Sequence, residues 1–276
     1  MTAENAIGLG ALQGLTEFLP VSSSAHLVIV PALFGNGSPP LSFDILVHFG
    51  TLLSALVFFW QDVRRAADGL WRMARQPTQW RELYRDDPWS RMAVMIVLAT
   101  VPTALIGVAG SKVFEPLFAA PSTACFMLFI TAGLLLITDR ALRHRSAEAE
   151  EQRPFPAHWA IVVGVAQGLA IAPGISRSGA TLCTGVLLGL PRELAFRFAF
   201  LLMIPSVFGA TLFEARDLAG EGVEWSYAVG ALLAFVVGLA ALWLLRSAVT
   251  RGRLWVFAVY CVVLAIVGLA LLGGAT

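Results

Sequence analysis

Apolar positions along this chain gather into long uninterrupted runs, not into the alternating or every-third-residue patterns of half-buried strands and helices. The runs lie at 41–60, 92–110, 117–138, 197–215, 226–245 and 254–274, and they hold few or no charged side chains. Each spans about 20 residues, enough for one helix to cross a hydrocarbon layer about 30 Å thick. The pattern predicts an all-α polytopic membrane protein with six transmembrane helices. Two further stretches, 6–34 and 159–190, are apolar at both ends but interrupted in the middle by Pro, Gly, Ser and ionisable residues. Backbone in hydrocarbon must satisfy its own hydrogen bonds, so each is read as a re-entrant helical hairpin, two half-helices around a polar turn.

The two broken stretches resemble each other. At a constant offset of 154, Gly10, Gln13, Gly14, Leu15, Ser22, Ser24, Leu33 and Gly35 recur as Gly164, Gln167, Gly168, Leu169, Ser176, Ser178, Leu187 and Gly189. The chain is therefore expected to be a single membrane domain, 1–276, built as an inverted repeat. Repeat one covers about 1–138 and repeat two about 159–274, each a re-entrant hairpin followed by three spans. An odd number of crossings turns the second copy upside down, and inverted repeats place their site near the midplane, between the broken segments.

Composition agrees: 58% of the residues are hydrophobic and 13% charged, against about 25% charged in a soluble domain. A net charge of +1 leaves no basic surface for a phosphate backbone, so no nucleic-acid partner is expected. Of the 19 basic residues, 16 lie in the loops 61–91 and 139–158 or beside later spans, while Lys112 and Arg216 lie on the opposite side. Positive charge marks the cytoplasmic side, which makes 61–91 and 139–158 cytoplasmic loops and puts both termini outside. Trp71, Trp80 and Trp89, interleaved with arginines, predict an interfacial helix in the first loop. Cys125, Cys183 and Cys261 are scattered through apolar stretches and read as small buried hydrophobes. Residues 1–5 lack Lys and Arg, so the first segment is expected to stay in the mature protein and not to be a cleaved signal.

The polar residues of the two hairpins carry the candidate chemistry. Gln13 and Glu17 are four apart and share a helix face. Pro20 ends that half-helix, and Ser22, Ser23 and Ser24 stand where the next begins, residue types that cap a helix whose free N–H groups attract anions. His26 returns to the face of Ser22 and Ser23. In the second hairpin, Pro173-Gly174 makes the break, and Ser176, Arg177, Ser178 and Thr181 follow. An arginine at bilayer depth costs at least a few kcal/mol unless paired or hydrated, and its planar fork suits phosphate oxygens. A hydroxyl, a proton acceptor and fixed positive charge together are what phosphoryl transfer requires.

Each residue also has a plainer reading. Glu17 and His26 can satisfy one another, Ser22 and Ser176 can be simple caps, and Arg177 can be a structural partner of Glu17. Asp44 and His48, four apart on the first span, are expected to cap that helix and line the cavity. The architecture alone equally fits an inverted-repeat transporter or flippase of a lipid phosphate. The mixture of nucleophile, acid or base and cation favours catalysis.

These stretches resemble the two signature motifs of the BacA-type undecaprenyl diphosphate phosphatases: Glu or Gln, three residues, Glu; and Pro-Gly-x-Ser-Arg-Ser. The likeness covers the whole chain, including Phe43-Asp44 ahead of His48-Phe49-Gly50-Thr51. The resemblance implies Glu17, Ser23, His26 and Arg177 as catalytic, Gln13, Ser22, Ser24, Ser176, Ser178 and Thr181 as substrate-binding, and Glu17 as a candidate metal ligand. It implies hydrolysis of undecaprenyl diphosphate to the monophosphate at the outer face of the bacterial cytoplasmic (inner) membrane. That reaction recycles the lipid carrier of peptidoglycan synthesis and confers bacitracin resistance, with help from a divalent cation, Mg²⁺ or Ca²⁺. The implied partners are a lipid diphosphate substrate, membrane lipid and a second copy in a homodimer. One expected mechanism has Ser23 attacking phosphorus or orienting a water, His26 moving the proton, Glu17 orienting His26 or holding the metal, and Arg177 neutralising charge. Another makes His26 the nucleophile.

Overall fold

The computed structural model describes residues 1–33, 39–145, 155–218, 222 and 224–272. Among these, all regular structure is helical: α1 (Ala3–Phe18), α2 (Ser23–Leu33), α3 (Leu41–Phe58), α4 (Trp60–Arg75), α5 (Trp80–Asp86), α6 (Pro88–Phe118), α7 (Pro121–Arg143), α8 (Ala157–Leu169), α9 (Arg177–Leu188), α10 (Arg192–Glu214), α11 (Trp225–Thr250) and α12 (Trp255–Leu272). Six of them, α3, α6, α7, α10, α11 and α12, are long and apolar enough to cross a membrane. The chain is a multi-pass membrane protein, with the spans where the hydrophobic runs place them.

One boundary differs. The expected break between 110 and 117 is absent, and α6 runs on to Phe118 through Pro102 and Pro116. Lys112 and Glu115 favour helix, and the turn comes instead at Ala119-Ala120, where Pro121 opens α7 at the position that tolerates a missing N–H. The loop 61–91 forms α4 and α5. Ala66, Gly69 and Met73 are the buried face of α4, and Gly69 lies against the backbone of Ser90, where an added Cβ would come within 2.8 Å of its nitrogen. Asp87 caps α6 by accepting from the Ser90 N–H at 3.0 Å and pairs with Arg72 at 2.6 Å. Arg75 stacks over Trp71 at 4.6 Å.

The two interrupted stretches break where Pro and Gly direct. α1 ends at Phe18 and α2 starts at Ser23; α8 ends at Leu169 and α9 starts at Arg177. Each first arm packs along a span from the other half of the chain, α1 on α11 and α8 on α6. Small residues allow this. A Cβ at Gly10 would overlap the carbonyl oxygen of Gly230, and one at Gly14 would come within 2.6 Å of the Ala234 oxygen. The residue matching Gly10, Gly164, sits in the same way against the Ala99 carbonyl. Thr103 reinforces that seam by donating to the Gly164 oxygen at 2.8 Å. Of the repeated residues, Gly35 lies outside those described. Below the hairpins, Phe18, Phe59, Phe196 and Phe200 form an aromatic plug, with Phe59 and Phe200 stacked at 5.9 Å and Phe18 against Phe200 at 5.9 Å.

Gly8, on the same helix as Gly10, has nothing within 4 Å of a would-be Cβ. Gly8→Ala should therefore raise stability by up to about 0.5–1 kcal/mol, the helical gain of alanine over glycine. Gly10→Ala should lower it by about 1–3 kcal/mol through overpacking. Thermal unfolding in one detergent checks the opposite signs.

Candidate active site

The site begins at the last turn of α1. Gln13 and Glu17 are buried one turn apart, and the Gln13 side-chain amide donates to Glu17 Oε2 at 3.0 Å. The chain then leaves the helix in extended form at Leu19 and reverses at Ser22, a non-glycine residue with φ of +67°. Such a conformation persists only where neighbours hold it. Here the Ser22 hydroxyl accepts from the Ala25 N–H at 3.3 Å and from the Gly174 N–H of the second break at 3.2 Å. The reversal brings Ser23, the first residue of α2, back onto α1, and its hydroxyl donates to Glu17 Oε2 at 2.6 Å.

The second break is tied to the first and to α7. Gly174 takes φ of +97°, and a Cβ there would strike the Ala124 carbonyl. Thr131 on α7 donates to the Gly174 oxygen at 2.8 Å and accepts from the Ser176 N–H at 3.0 Å. Ser176 caps α9, accepting from the Gly179 N–H at 3.1 Å, as the plain capping reading expected. The Ser178 hydroxyl reaches back to the Leu19 oxygen at 3.3 Å. Thr181 bonds the Arg177 carbonyl of its own helix at 2.9 Å, and Ser24 lies 3.1 Å from the Ser22 hydroxyl. Both helix N-termini, α2 and α9, thus face one centre, an arrangement that favours an anion.

Arg177 opens α9 with its charge in electrostatic reach of Glu17 and His48, and among the described residues its guanidinium makes no hydrogen bond. Its five donors are available to a ligand. The structure brings together Gln13, Glu17, Ser22, Ser23, Ser24, Arg177, Ser176 and Ser178. Gln167, the repeat counterpart of Gln13, turns away to the Ser206 hydroxyl at 2.6 Å.

His26 does not take its expected partner. Its Nδ1 lies 2.8 Å from the Ser22 carbonyl oxygen, which only accepts, so that nitrogen carries the hydrogen. Nε2 then accepts from the Tyr260 hydroxyl at 2.7 Å, with the rings stacked at 5.7 Å. Glu17 therefore does not orient His26, because this face of α2 turns toward α12 while Ser23 faces α1. The imidazole beside Glu17 is His48, whose Nε2 is 3.8 Å from Glu17 Oε2. Its Nδ1 lies 2.9 Å from the Asp44 carbonyl oxygen and 3.5 Å from Asp44 Oδ1. The sequence expects Asp44 and His48 to cap α3 and line the cavity, but the cap position is Pro40 and no side chain bonds there. Their own signal was present, two ionisable residues one turn apart in an apolar span. Tyr260, inside an apolar run, carried none.

Among the described residues no three His, Cys, Asp or Glu side chains gather as a metal cage. The Oε1 of Gln13, however, is buried beside Glu17 with no hydrogen-bond partner. Elsewhere, a cavity of about 420 Å³ opens among Asp62, Arg65, Glu193, Arg197 and Arg246, at the far ends of α3 and α11. It contains none of the site residues above; Arg197 pairs with Asp62 at 2.9 Å, Arg246 with Glu193 at 2.8 Å, and Arg65 stacks over Trp89 at 5.4 Å.

Residues 6–267 match the family described as bacitracin resistance protein BacA. The chain is 42% identical to a protein named undecaprenyl-diphosphatase from Syntrophotalea carbinolica, over 92% of this chain and 93% of that one. It is 43% identical to the undecaprenyl-diphosphatase of Desulfosudis oleivorans, over 89% of each chain. With that of a Nocardioides species it shares 40% identity over 89% of this chain and 88% of the other.

The tie between the two breaks rests on the Ser22 hydroxyl. Ser22→Ala strands the buried Gly174 N–H and should cost about 1–3 kcal/mol, the penalty of an unsatisfied donor. Ser24→Ala, which removes only a contact between two hydroxyls, should cost less than about 1 kcal/mol. Denaturation of the two variants in detergent, compared with the parent, measures both.

Proposed function

The chain belongs to the bacitracin resistance protein BacA family, and from that premise we propose that it hydrolyses undecaprenyl diphosphate to undecaprenyl phosphate and inorganic phosphate. The membrane-embedded fold suits a lipid substrate, and the relatives that share about 40% of its residues carry the name of this activity. The observation that carries the reading is the Ser23 hydroxyl donating to Glu17 Oε2 at 2.6 Å, with the charge of Arg177 in electrostatic reach of that carboxylate.

That geometry supports a two-step reaction. The Ser23 oxygen attacks the terminal phosphorus while its proton passes to Glu17, and the bond to the bridging oxygen breaks to release the lipid monophosphate. Glu17 passes that proton to the departing lipid monophosphate and, ionised again, draws one from water as the water attacks the phosphoserine, then gives it to the Ser23 oxygen as inorganic phosphate leaves. Arg177 and the N–H groups opening α2 and α9 meet the charge on the phosphoryl oxygens. His26 joins α2 to Tyr260 on α12 and so sets the helix that carries Ser23. Gln13 donates to Glu17 where a second carboxylate would repel it.

A divalent cation, Mg²⁺ or Ca²⁺, fits this donor set. Glu17 and the unpartnered Oε1 of Gln13 would hold it, with substrate oxygens and water completing the shell, as hard cations prefer. Bound there, it would offset the negative charge of the diphosphate. We place the protein in the bacterial cytoplasmic membrane, with the site toward the outside, both termini outside and an inverted repeat as its plan. The supports are the 16 basic residues on one side and the exchange by which α1 packs on α11 and α8 on α6.

Phosphate release from a lipid diphosphate by the purified protein in detergent tests the reading. Ser23→Ala and Glu17→Gln should each lower kcat by about 10²–10³-fold. Arg177→Ala should do the same, and Arg177→Lys should recover only part because it lacks the planar fork. Glu17→Ala and Arg177→Ala variants as fast as the parent would exclude it.

A further inference from the structure

We propose that His48 is a positioning residue for Glu17, aimed by Asp44; this rests on the reading of Glu17 as the acceptor of the Ser23 proton. His48 belongs to α3, which contributes no residue to the hairpins, yet its Nε2 stands 3.8 Å from Glu17 Oε2. The ring is fixed from its other side. Its Nδ1–H donates to the Asp44 carbonyl oxygen at 2.9 Å, one turn back on the same helix, with Asp44 Oδ1 at 3.5 Å. A ring so held presents Nε2 in one direction, and as the imidazolium, with a hydrogen on both nitrogens, it attracts the carboxylate across 3.8 Å as an ion pair and not as a hydrogen bond.

That direction is the reacting oxygen. Oε2 of Glu17 receives the Ser23 hydroxyl at 2.6 Å and the Gln13 amide at 3.0 Å, so His48 is a third neighbour of the same atom. Gln13 and Ser23 come from α1 and α2, the two arms of the hairpin that also carries Glu17. His48 comes from outside and references the carboxylate to α3. That span is anchored independently. Ser54 donates to the Phe235 carbonyl of α11 at 2.7 Å, and a Cβ on Gly50 would strike the Ala231 carbonyl. Without His48 the carboxylate can turn about its last bond until neither oxygen points squarely at the Ser23 hydroxyl.

The consequence falls on turnover and not on binding. The groups proposed to hold the phosphates, Arg177 and the two helix N-termini, do not touch His48 by hydrogen bond. Loss of an aligned geometry costs rate steeply, up to about 10²-fold for a misplacement of about 1 Å. A glutamine at position 48 offers an amide N–H at similar reach and should restore the alignment that alanine removes.

The experiment measures kcat and KM of His48→Ala, His48→Gln and Glu17→Ala on a lipid diphosphate in detergent, at several Mg²⁺ and Ca²⁺ concentrations. His48→Ala should lower kcat at least about tenfold with KM within about twofold, and His48→Gln should regain most of the loss. The proposal is overturned if His48→Ala turns over like the parent while Glu17→Ala is inactive, or if glutamine fails to restore kcat. It is equally overturned if more cation alone restores His48→Ala, since the residue would then act on the cation. An active Glu17→Ala would instead remove the phosphatase reading of Glu17 itself.

Discussion

A carboxylate shut inside an apolar bundle has to be surrounded by donors, and in this protein that demand gathers four helices around Glu17. Its side chain is almost wholly inaccessible, where an ion without partners would cost several kcal/mol. α1 supplies Gln13, α2 supplies Ser23, α3 supplies His48 and α9 supplies the charge of Arg177. The interactions that make the buried charge tolerable are the ones that make it useful. A hydroxyl bonded to a carboxylate is already aligned to lose its proton.

The same logic governs the two breaks. Buried backbone freed from a helix has no water to satisfy it, and several of the freed groups here find a side chain. Thr131 serves the Gly174 oxygen and the Ser176 N–H, Ser22 serves the Gly174 N–H, and Ser178 serves the Leu19 oxygen. Two of these four bonds cross between the breaks, and the other two tie the second break to Thr131 of α7. The proposed site and the hydrogen bonds of the broken backbone therefore form one network. The serines that resemble phosphate ligands in sequence are partly occupied in holding the loops that bring Ser23 and Arg177 together.

Close helix packing supplies the frame for this network. Glycines at 10, 14 and 164 let α1 and α8 approach α11 and α6 to backbone contact, so the arms of the hairpins are clamped by long spans. Where α4, α10 and α11 meet, arginine and carboxylate pairs join the helices. An aromatic plug of Phe18, Phe59, Phe196 and Phe200 lies between that charged end and the site. The polar centre is thus isolated by apolar packing from the polar rim below it.

By itself, the sequence determined the six spans, the two interruptions and the cast of polar residues within them. Hydrophobic length and helix-breaking are properties of short segments and need no neighbours to be read. Spacing also showed that Gln13 shares a face with Glu17 and that Arg177 opens a helix. Only the tertiary structure decided what each face meets. A helical period says which residues point the same way, not which helix lies opposite, so His26 and His48 were equally eligible for Glu17 until α3 and α12 were in place. α12 then took His26 through Tyr260, and α3 brought His48 to the carboxylate. The end of α6 was not legible in the hydrophobic runs either, because Lys112, Glu115 and Pro116 interrupt the apolar pattern without ending the helix.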